Sequence, residues 1–465
     1  MDDESLIQKI RERGRAALHS RLLHNLSPTQ TIALSFCLII FTGTLLLMLP
    51  ISTRDGQETQ LLDALFTAAS ATCVTGLVRF DTYSHWTLFG QVVILLMIQI
   101  GGIGFMTIAM FFVMLAKRRI GLNQRMVMQE TVAAPQVGGI VKMAKFILFG
   151  TLLFEGLGAV LLAFYFCPRF GLLQGVYFGV FHSVSAFCNA GFDLMGVVDP
   201  GSSLITASAD PYVNLVIMAL IVLGGLGFFV WADICHTRFR FRDNKLHTKV
   251  VLCVTGLLIL TGAGMIFLFE MEGSLFQGKG WGERVLCALF QSVTPRTAGF
   301  NTVPLAQLTS QSKVVMIFLM LIGGSPGSTA GGMKTTTFAV LACSVYATFR
   351  QRKSVELFRR RVEDDILRTA VTIAVFYVGL SMCSALAISA IDQTTFMDAL
   401  FETVSAIATV GSSLGITAGL SQVSGVILTF LMIVGRIGSV TFLLAFSSAA
   451  RGPRSQYPME KIQVG

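Results

Sequence analysis

The chain has 465 residues, 53% of them hydrophobic and 13% charged, with a formal net charge of +9. A soluble domain carries about 25% charged residues, so this composition excludes an ordinary soluble protein and points to lipid as the main solvent. The nine cysteines form no CxxC pair and no His/Cys cluster, which leaves them as small apolar side chains rather than a metal site or disulfide framework.

Residues 1–30 form a basic N-terminal segment carrying Lys9, Arg11, Arg13, Arg15 and Arg21. Over 5–23 these alternate with Leu6, Ile7, Ile10, Leu22 and Leu23, a pattern that fits either a helix lying on the membrane surface or a solvated tail. No small-residue cleavage site follows the first apolar run, so the segment does not read as a secretory signal. Long apolar segments then fall near 31–50, 88–116, 144–167, 212–235, 248–269, 313–346, 367–391 and 424–449. Between the members of successive pairs lie shorter apolar segments near 61–72, 174–187, 283–294 and 395–408. At about 12–14 residues these reach roughly 18–21 Å as helices, too short for a hydrocarbon core of about 30 Å. They read as re-entrant half-helices that enter and return on one side.

The short segments end alike. Residues 72–77 read Thr-Cys-Val-Thr-Gly-Leu, 187–192 Phe-Cys-Asn-Ala-Gly-Phe, 296–301 Arg-Thr-Ala-Gly-Phe-Asn and 408–413 Ala-Thr-Val-Gly-Ser-Ser. Their glycines, Gly76, Gly191, Gly299 and Gly411, are separated by 115, 108 and 112 residues, the near-constant period of an internal repeat. A glycine cluster follows each loop in step: Gly101-Gly102-Ile103-Gly104, Gly224-Gly225-Leu226-Gly227, Gly323-Gly324-Ser325-Pro326-Gly327 and Gly435-Arg436-Ile437-Gly438. Such small residues let membrane helices approach closely. The expected fold is an all-α multi-pass membrane protein of four parallel helix–pore-loop–helix repeats in a pseudo-fourfold arrangement around a central pore. The repeats cover 31–116, 117–236, 237–348 and 349–450, with a C-terminal tail at 451–465.

Of the 35 Lys and Arg, 26 lie in the N-terminal tail, 117–145, 238–249, 350–368 and the C-terminal tail, all on one expected face. By the positive-inside rule that face and both termini are cytoplasmic. Acids flank the loops instead: Asp55, Glu58, Asp81, Asp193, Asp199, Asp210, Glu270, Glu272 and Asp392. The mouth is therefore external and mildly acidic, which concentrates cations. Topology accounts for the net positive charge, so no nucleic-acid partner is expected.

A cation leaving water can exchange its hydration shell for backbone carbonyls when several loops aim them at one axis. Each half-helix also points its negative C-terminal end inward. The expected ion-binding residues are Val74, Thr75 and Gly76; Asn189, Ala190 and Gly191; Thr297, Ala298 and Gly299; and Thr409, Val410 and Gly411. The last helix of the third repeat departs from the others. Its Gly323, Gly324, Ser325, Pro326, Gly327, Ser328, Thr329, Ala330, Gly331 and Gly332 break a helix over 322–333 and read as a flexible intramembrane gate. Lys334 and Arg436 lie beside it; they oppose ion passage, hold the loop by hydrogen bonds, or simply pair with carbonyls.

These motifs, above all Thr-Pro-Arg-Thr-Ala-Gly-Phe-Asn at 294–301, resemble the Trk/Ktr/HKT superfamily of cation transporters, closest to the Ktr-type (KtrB-like) membrane subunit. The resemblance covers nearly the whole chain. The lack of an extra hydrophobic pair before residue 31 favours Ktr over Trk. It implies K+ as the transported ion at the filter, since members with Ser in place of the first glycine tend to pass Na+, and this chain has Gly76. It implies Na+ dependence, a homodimer in the bilayer, and a cytoplasmic nucleotide-binding regulatory ring (KtrA-like). The basic loop 350–361 and the tail from Tyr457 to Gly465 are expected docking surfaces. No organic cofactor is expected, since no GxxxxGK[ST] occurs.

Several other embedded groups draw attention. Arg296 is expected to brace an outer acid, and Asp63 and Glu402 to anchor loops by hydrogen bonds. Glu155 has no obvious partner. Cys73 and Cys188 fall within the ion-binding segments, where external thiol reagents would reach them. Two other functions compete. An alternating-access solute transporter would show inverted repeats, which these are not. An intramembrane enzyme would use His182, Ser183 and Ser185, but no carboxylate is placed beside them and no HExxH occurs.

Overall fold

The computed structural model describes residues 27–104, 107, 122–131, 138–352 and 354–438. The amphipathic stretch 5–23 and the C-terminal tail lie outside the described residues. Four units follow one another. The first opens on α1, Pro28–Leu47, where the Gln30 amide donates to the Ser27 hydroxyl (3.2 Å), the Ser27 amide donates to the Gln30 side chain (3.0 Å), and Pro28 fills a position that needs no N–H. The half-helix α2, Leu61–Thr72, and the returning helix α3, Leu88–Ile103, complete it. A connecting helix, α4 (Leu122–Thr131), packs on α1.

The second unit is α5 (Ile140–Phe170), α6 (Leu172–Phe187), α7 (Pro211–Leu226) and α8 (Phe228–His236). Gly171, at φ 84°, ends α5 and starts α6 with no intervening loop, which makes α6 a 16-residue half-helix, longer than the sequence suggests. The third unit is α9 (Leu246–Glu270), α10 (Trp281–Val293), α11 (Ser310–Leu321) and α12 (Thr335–Phe349). The fourth is α13 (Asp364–Asp392), α14 (Phe396–Ile407) and α15 (Gln422–Ile437). Within the basic 350–361 stretch, β1 (Glu356–Leu357) pairs antiparallel with β2 (Arg360–Arg361) through a two-residue turn.

The architecture is that of an all-helical multi-pass membrane protein. Helices α1, α5, α9 and α13 are long and apolar enough to cross a bilayer, and α7 with α8 would make a fifth span bent by 91°. Their outer faces carry exposed apolar side chains, such as Leu34, Leu38 and Phe41 on α1 and Phe149, Leu153 and Phe164 on α5. The half-helices are instead buried at the centre. Each touches the returning helix of the preceding unit: α3 meets α6, α7 meets α10, α11 meets α14, and α15 meets α2. The last contact closes the ring.

The sequence places a break only in the third returning helix; the structure breaks all four. Helices α3, α7 and α15 stop at Gly104, Gly227 and Gly438, at φ 87°, 97° and 92°, a conformation that only glycine adopts freely. The first glycine of each of these clusters has a separate role. A Cβ on Gly101, Gly224 or Gly435 would collide with the terminal carbonyl of a half-helix, that of Thr72, Phe187 or Ile407. The third unit differs in degree: α11 stops at Leu321 and helix resumes only at Thr335.

Arg79 locks the closure between the first and fourth units. Its guanidinium donates to Asp63 (2.5 Å) in the first turn of α2, to Gln422 (2.9 Å) and to the Leu420 (2.5 Å) and Ser421 (3.0 Å) carbonyls. The Arg79 side chain is 6% exposed. Removing one partner of a buried ion pair costs about 3 kcal/mol or more. Arg79→Ala is therefore expected to lower the thermal unfolding temperature of the purified protein clearly, and an unchanged transition would contradict this closure.

Candidate functional site

The four loop glycines come together in one ring. A Cβ on Gly76 would strike the Ala190 carbonyl oxygen, one on Gly191 would lie 2.6 Å from that of Ala298, one on Gly299 would strike that of Val410, and one on Gly411 would strike that of Thr75. Each unit thus presses on the next, and the fourth on the first. The carbonyl oxygens of Thr75, Ala190, Ala298 and Val410 sit at the contacts, and nothing larger than glycine fits between.

The backbone of each loop alternates in hand. Val74, Asn189, Thr297 and Thr409 have φ of 56°, 60°, 72° and 51°, and the glycine two residues on has 93°, 69°, 81° and 88°. Such alternation turns successive peptide planes the same way, so N–H groups gather on one side and carbonyls on the other. The N–H side is spent on the half-helices. The Thr75, Ala190 and Val410 amides donate to the Ser70, Ser185 and Ser405 carbonyls at 2.7–2.8 Å. The Gly76 and Gly411 amides donate to the Ser70 and Ser405 hydroxyls at 3.1 and 3.0 Å. In the second loop the Ser185 hydroxyl donates to the Phe192 carbonyl, and in the third the Thr294 hydroxyl donates to that of Phe300.

The bracing hydroxyls escaped the sequence reading, although a signal exists. Three half-helices end in Ser-Ala (70–71, 185–186 and 405–406), each six residues before its glycine. The third unit has Thr294-Pro295 one residue closer, and its Ala298 amide turns tightly to the Thr294 carbonyl at 2.9 Å.

A cavity of about 270 Å³ opens on one side of the ring, lined by all four glycines together with Asp81, Asp193, Ser203, Asn301 and Ser413. On the other side lies the 322–334 segment. The Gly323 amide donates to the Met333 carbonyl (2.8 Å), which pinches its ends together. The Ser325 and Thr329 amides donate to the Gly225 (2.9 Å) and Gly224 (3.3 Å) carbonyls, and the Thr329 hydroxyl to that of Phe187 (3.0 Å). Gly331 lies directly against the Thr409 side chain. The segment therefore occupies the space beneath the ring, held by the helix break of the second unit. Gly332 adjoins Ala408, and the Phe228 amide donates to the Gly327 carbonyl (2.7 Å), while Gly324 and Pro326 adjoin Ala330 and Gly227.

Both flanking cations bond to carbonyls. Lys334 donates to those of Ala330 (2.7 Å) and Gly331 (3.2 Å), and the Ser328 hydroxyl to that of Ser325 (2.6 Å). Arg436 donates to the carbonyls of Thr329, Gly101 and Gly102. One guanidinium thus links the segment, the break of the first unit and the last helix. A second cavity of about 240 Å³ lies here, lined by Gly104, Gly332, Lys334, Arg436, Gly438 and Glu130 of α4, an acid the sequence reading did not single out.

Other expectations divide. Asp63 holds Arg79, and Glu402 accepts from Ser413 and from Thr417 (2.9 Å), so both carboxylates anchor loops. Arg296 pairs with no acid among the described residues: its guanidinium donates to Thr255 in α9 (3.3 Å), because residue 296 faces back from the ring toward the membrane helices. Glu155 does have a partner, accepting from Gln99 at 2.9 Å. Cys73 and Cys188 are fully buried rather than open to the cavity above the ring. His182 is held by the Phe178 carbonyl and the Leu194 amide, and Ser183 and Ser185 donate to the carbonyls of Glu155 and Phe192, which leaves no free nucleophile in that trio.

Known proteins match this chain over nearly its whole length. The TrkH family model, described as cation transport protein, matches residues 17–455. The chain is 38% identical over 458 residues to the potassium/sodium uptake protein NtpJ of Enterococcus hirae, covering 96% of this chain and 99% of that one. It is 38% identical over 442 residues to the Ktr system potassium uptake protein B of Bacillus subtilis, covering 94% and 97%. The crystal structure of the potassium transporter TrkH from Vibrio parahaemolyticus shares the fold, with a TM-score of 0.70 at 17% identity over 90% of this chain and 84% of that one.

Proposed function

This chain belongs to the TrkH family of cation transport proteins, and from that premise we propose that it takes up K+ through the glycine ring, which acts as its selectivity filter. The observation that carries the reading is the cyclic contact of the four glycines with the carbonyl oxygens of Thr75, Ala190, Ala298 and Val410. A ring of carbonyls replaces the hydration shell of a bare monovalent cation, and the absence of side chains at the glycines leaves the path open. Val74, Asn189, Thr297 and Thr409 carry the next carbonyls below. The acidic cavity above collects cations, and the inward membrane potential supplies about 2.3 kcal/mol per 100 mV for each charge moved.

The 322–334 segment is the gate in this reading. It fills the exit beneath the filter and is held there by hydrogen bonds that include those from Arg436 and Lys334. No nucleotide motif lies in the chain, so the energy that moves the gate comes from a separate cytoplasmic nucleotide-binding ring acting on a homodimer. With the basic segments inside, the termini are cytoplasmic and the acidic mouth external. The relative named for both potassium and sodium uptake supports a second reading, in which Na+ also passes.

The test is K+ and Na+ uptake by a K+-requiring cell expressing this chain with and without the partner ring. Growth rescue at low K+, with K+ taken up in preference to Na+, is the expected result. Expression without any K+ uptake in either condition would overturn the proposal.

A further inference from the structure

Behind the second filter loop lies a polar cluster that ion passage does not use. Cys188 stands three residues before Gly191 and caps α6. Its thiol faces Glu155 of α5 at 3.6 Å and Gln99 of α3, in the preceding unit, at 3.9 Å. Gln99 donates to the other Glu155 oxygen at 2.9 Å. Gly102 makes room for the thiol, since a Cβ there would lie 2.5 Å from the sulfur. Glu155 is 5% exposed and Cys188 fully buried.

The seam between the second and third units is built differently. The Ser183 hydroxyl donates to the Glu155 carbonyl (2.7 Å) as the Ser292 hydroxyl donates to the Ile259 carbonyl (2.8 Å), so Glu155 occupies the place that Ile259 holds in the third unit. Gln99 stands two residues before the first cluster glycine, where the other units have Val222, Leu321 and Ile433. Two polar side chains therefore meet at this seam, whereas Val222 and Ile259 hold the corresponding places between the second and third units. A carboxyl group within a membrane protein is costly and is kept for a reason beyond packing.

We propose that Glu155, held by Gln99, is a positioning residue that fixes the second filter loop through Cys188 and thereby sets K+ over Na+ discrimination. The inference rests on reading the glycine ring as the filter. Cys188 is covalently next to Asn189, whose left-handed backbone aims the loop carbonyls, so a shift of the cap is passed to the Ala190 carbonyl that touches Gly76. Glu155 never contacts the ion in this arrangement. It acts as a strut between two units, and its chemistry matters only through shape and hydrogen bonding. An amide of the same shape serves equally, accepting from Gln99 and donating to the sulfur.

The test measures the ratio of K+ to Na+ uptake by full-length protein in proteoliposomes. Glu155→Leu and Gln99→Leu are each expected to lower the ratio about fivefold, and the double variant no further than either alone, because both remove one strut. Glu155→Gln should keep the wild-type ratio. Gln99→Leu approaches the strut from the neighbouring helix and remains informative if Glu155→Leu fails to fold. Unchanged ratios in the leucine variants, additive losses in the double variant, or a loss in Glu155→Gln equal to that in Glu155→Leu would each overturn the proposal. Wild-type protein with no preference for K+ would remove the filter reading itself and this inference with it.

Discussion

Gly76→Ser should lower the preference for K+ over Na+ by about tenfold while leaving the protein in the membrane. The position is at φ 93°, where an L-residue pays about 1–2 kcal/mol in backbone strain. The added Cβ would also meet the Ala190 carbonyl oxygen of the next unit, one of the four in the ring. Either the Ser side chain or that carbonyl must move, and a displaced carbonyl leaves a looser ring whose fit to the larger, more weakly hydrated ion is lost. A free-energy difference of about 1.4 kcal/mol corresponds to a factor of ten, so strain of this size suffices. The measurement is competitive uptake of the two ions at equal concentration. A wild-type ratio in the serine variant would contradict the filter assignment.

Deleting residues 325–331 should raise basal cation flux by about tenfold or more when the partner ring is absent. This segment supplies the Thr329 carbonyl that Arg436 holds, the Thr329 hydroxyl bonded to the Phe187 carbonyl, and the Ser325 amide bonded to the Gly225 carbonyl. Hydrogen bonds from a charged donor contribute about 1.5–3 kcal/mol each, so the closed arrangement is favoured strongly enough to limit leakage. Arg436→Gln should raise flux in the same direction but less, because the amide bonds to Gly224 and Gly225 remain. Normal membrane insertion of the deletion variant with no rise in flux would refute the gate.

Both experiments act on features of different legibility. The loop glycines and the fragile 322–333 segment stand out in the sequence as a period and as a run of helix breakers. The anchors that give them their effect do not. Arg296 belongs to the most distinctive motif of the chain, yet its partner is Thr255 rather than an outer acid. Nothing local to residues 294–301 decides whether a side chain in a tight turn faces the mouth or the rear. The same holds for Cys73 and Cys188, which lie beside the glycine ring in sequence yet are fully buried. Glu155 shows the converse: it has no partner within its own helix, and its partner comes from a residue 56 positions earlier.

Sequence alone determined the solvent, the number of units and their common direction, because these follow from local quantities: the length of an apolar run against the bilayer thickness, a short segment that must return to the side it entered from, and a glycine that returns about every 110 residues. Tertiary structure decided what each glycine is for. Gly104, Gly227 and Gly438 end helices that the hydropathy pattern would continue, while Gly101, Gly224 and Gly435 stay helical and admit a neighbour's carbonyl. The two roles share one residue type within one four-residue cluster, and only the approach of a second chain segment distinguishes them. The ring itself is of the same kind, since its closure is a contact between Gly411 and Thr75, the farthest-separated pair of loops in the chain.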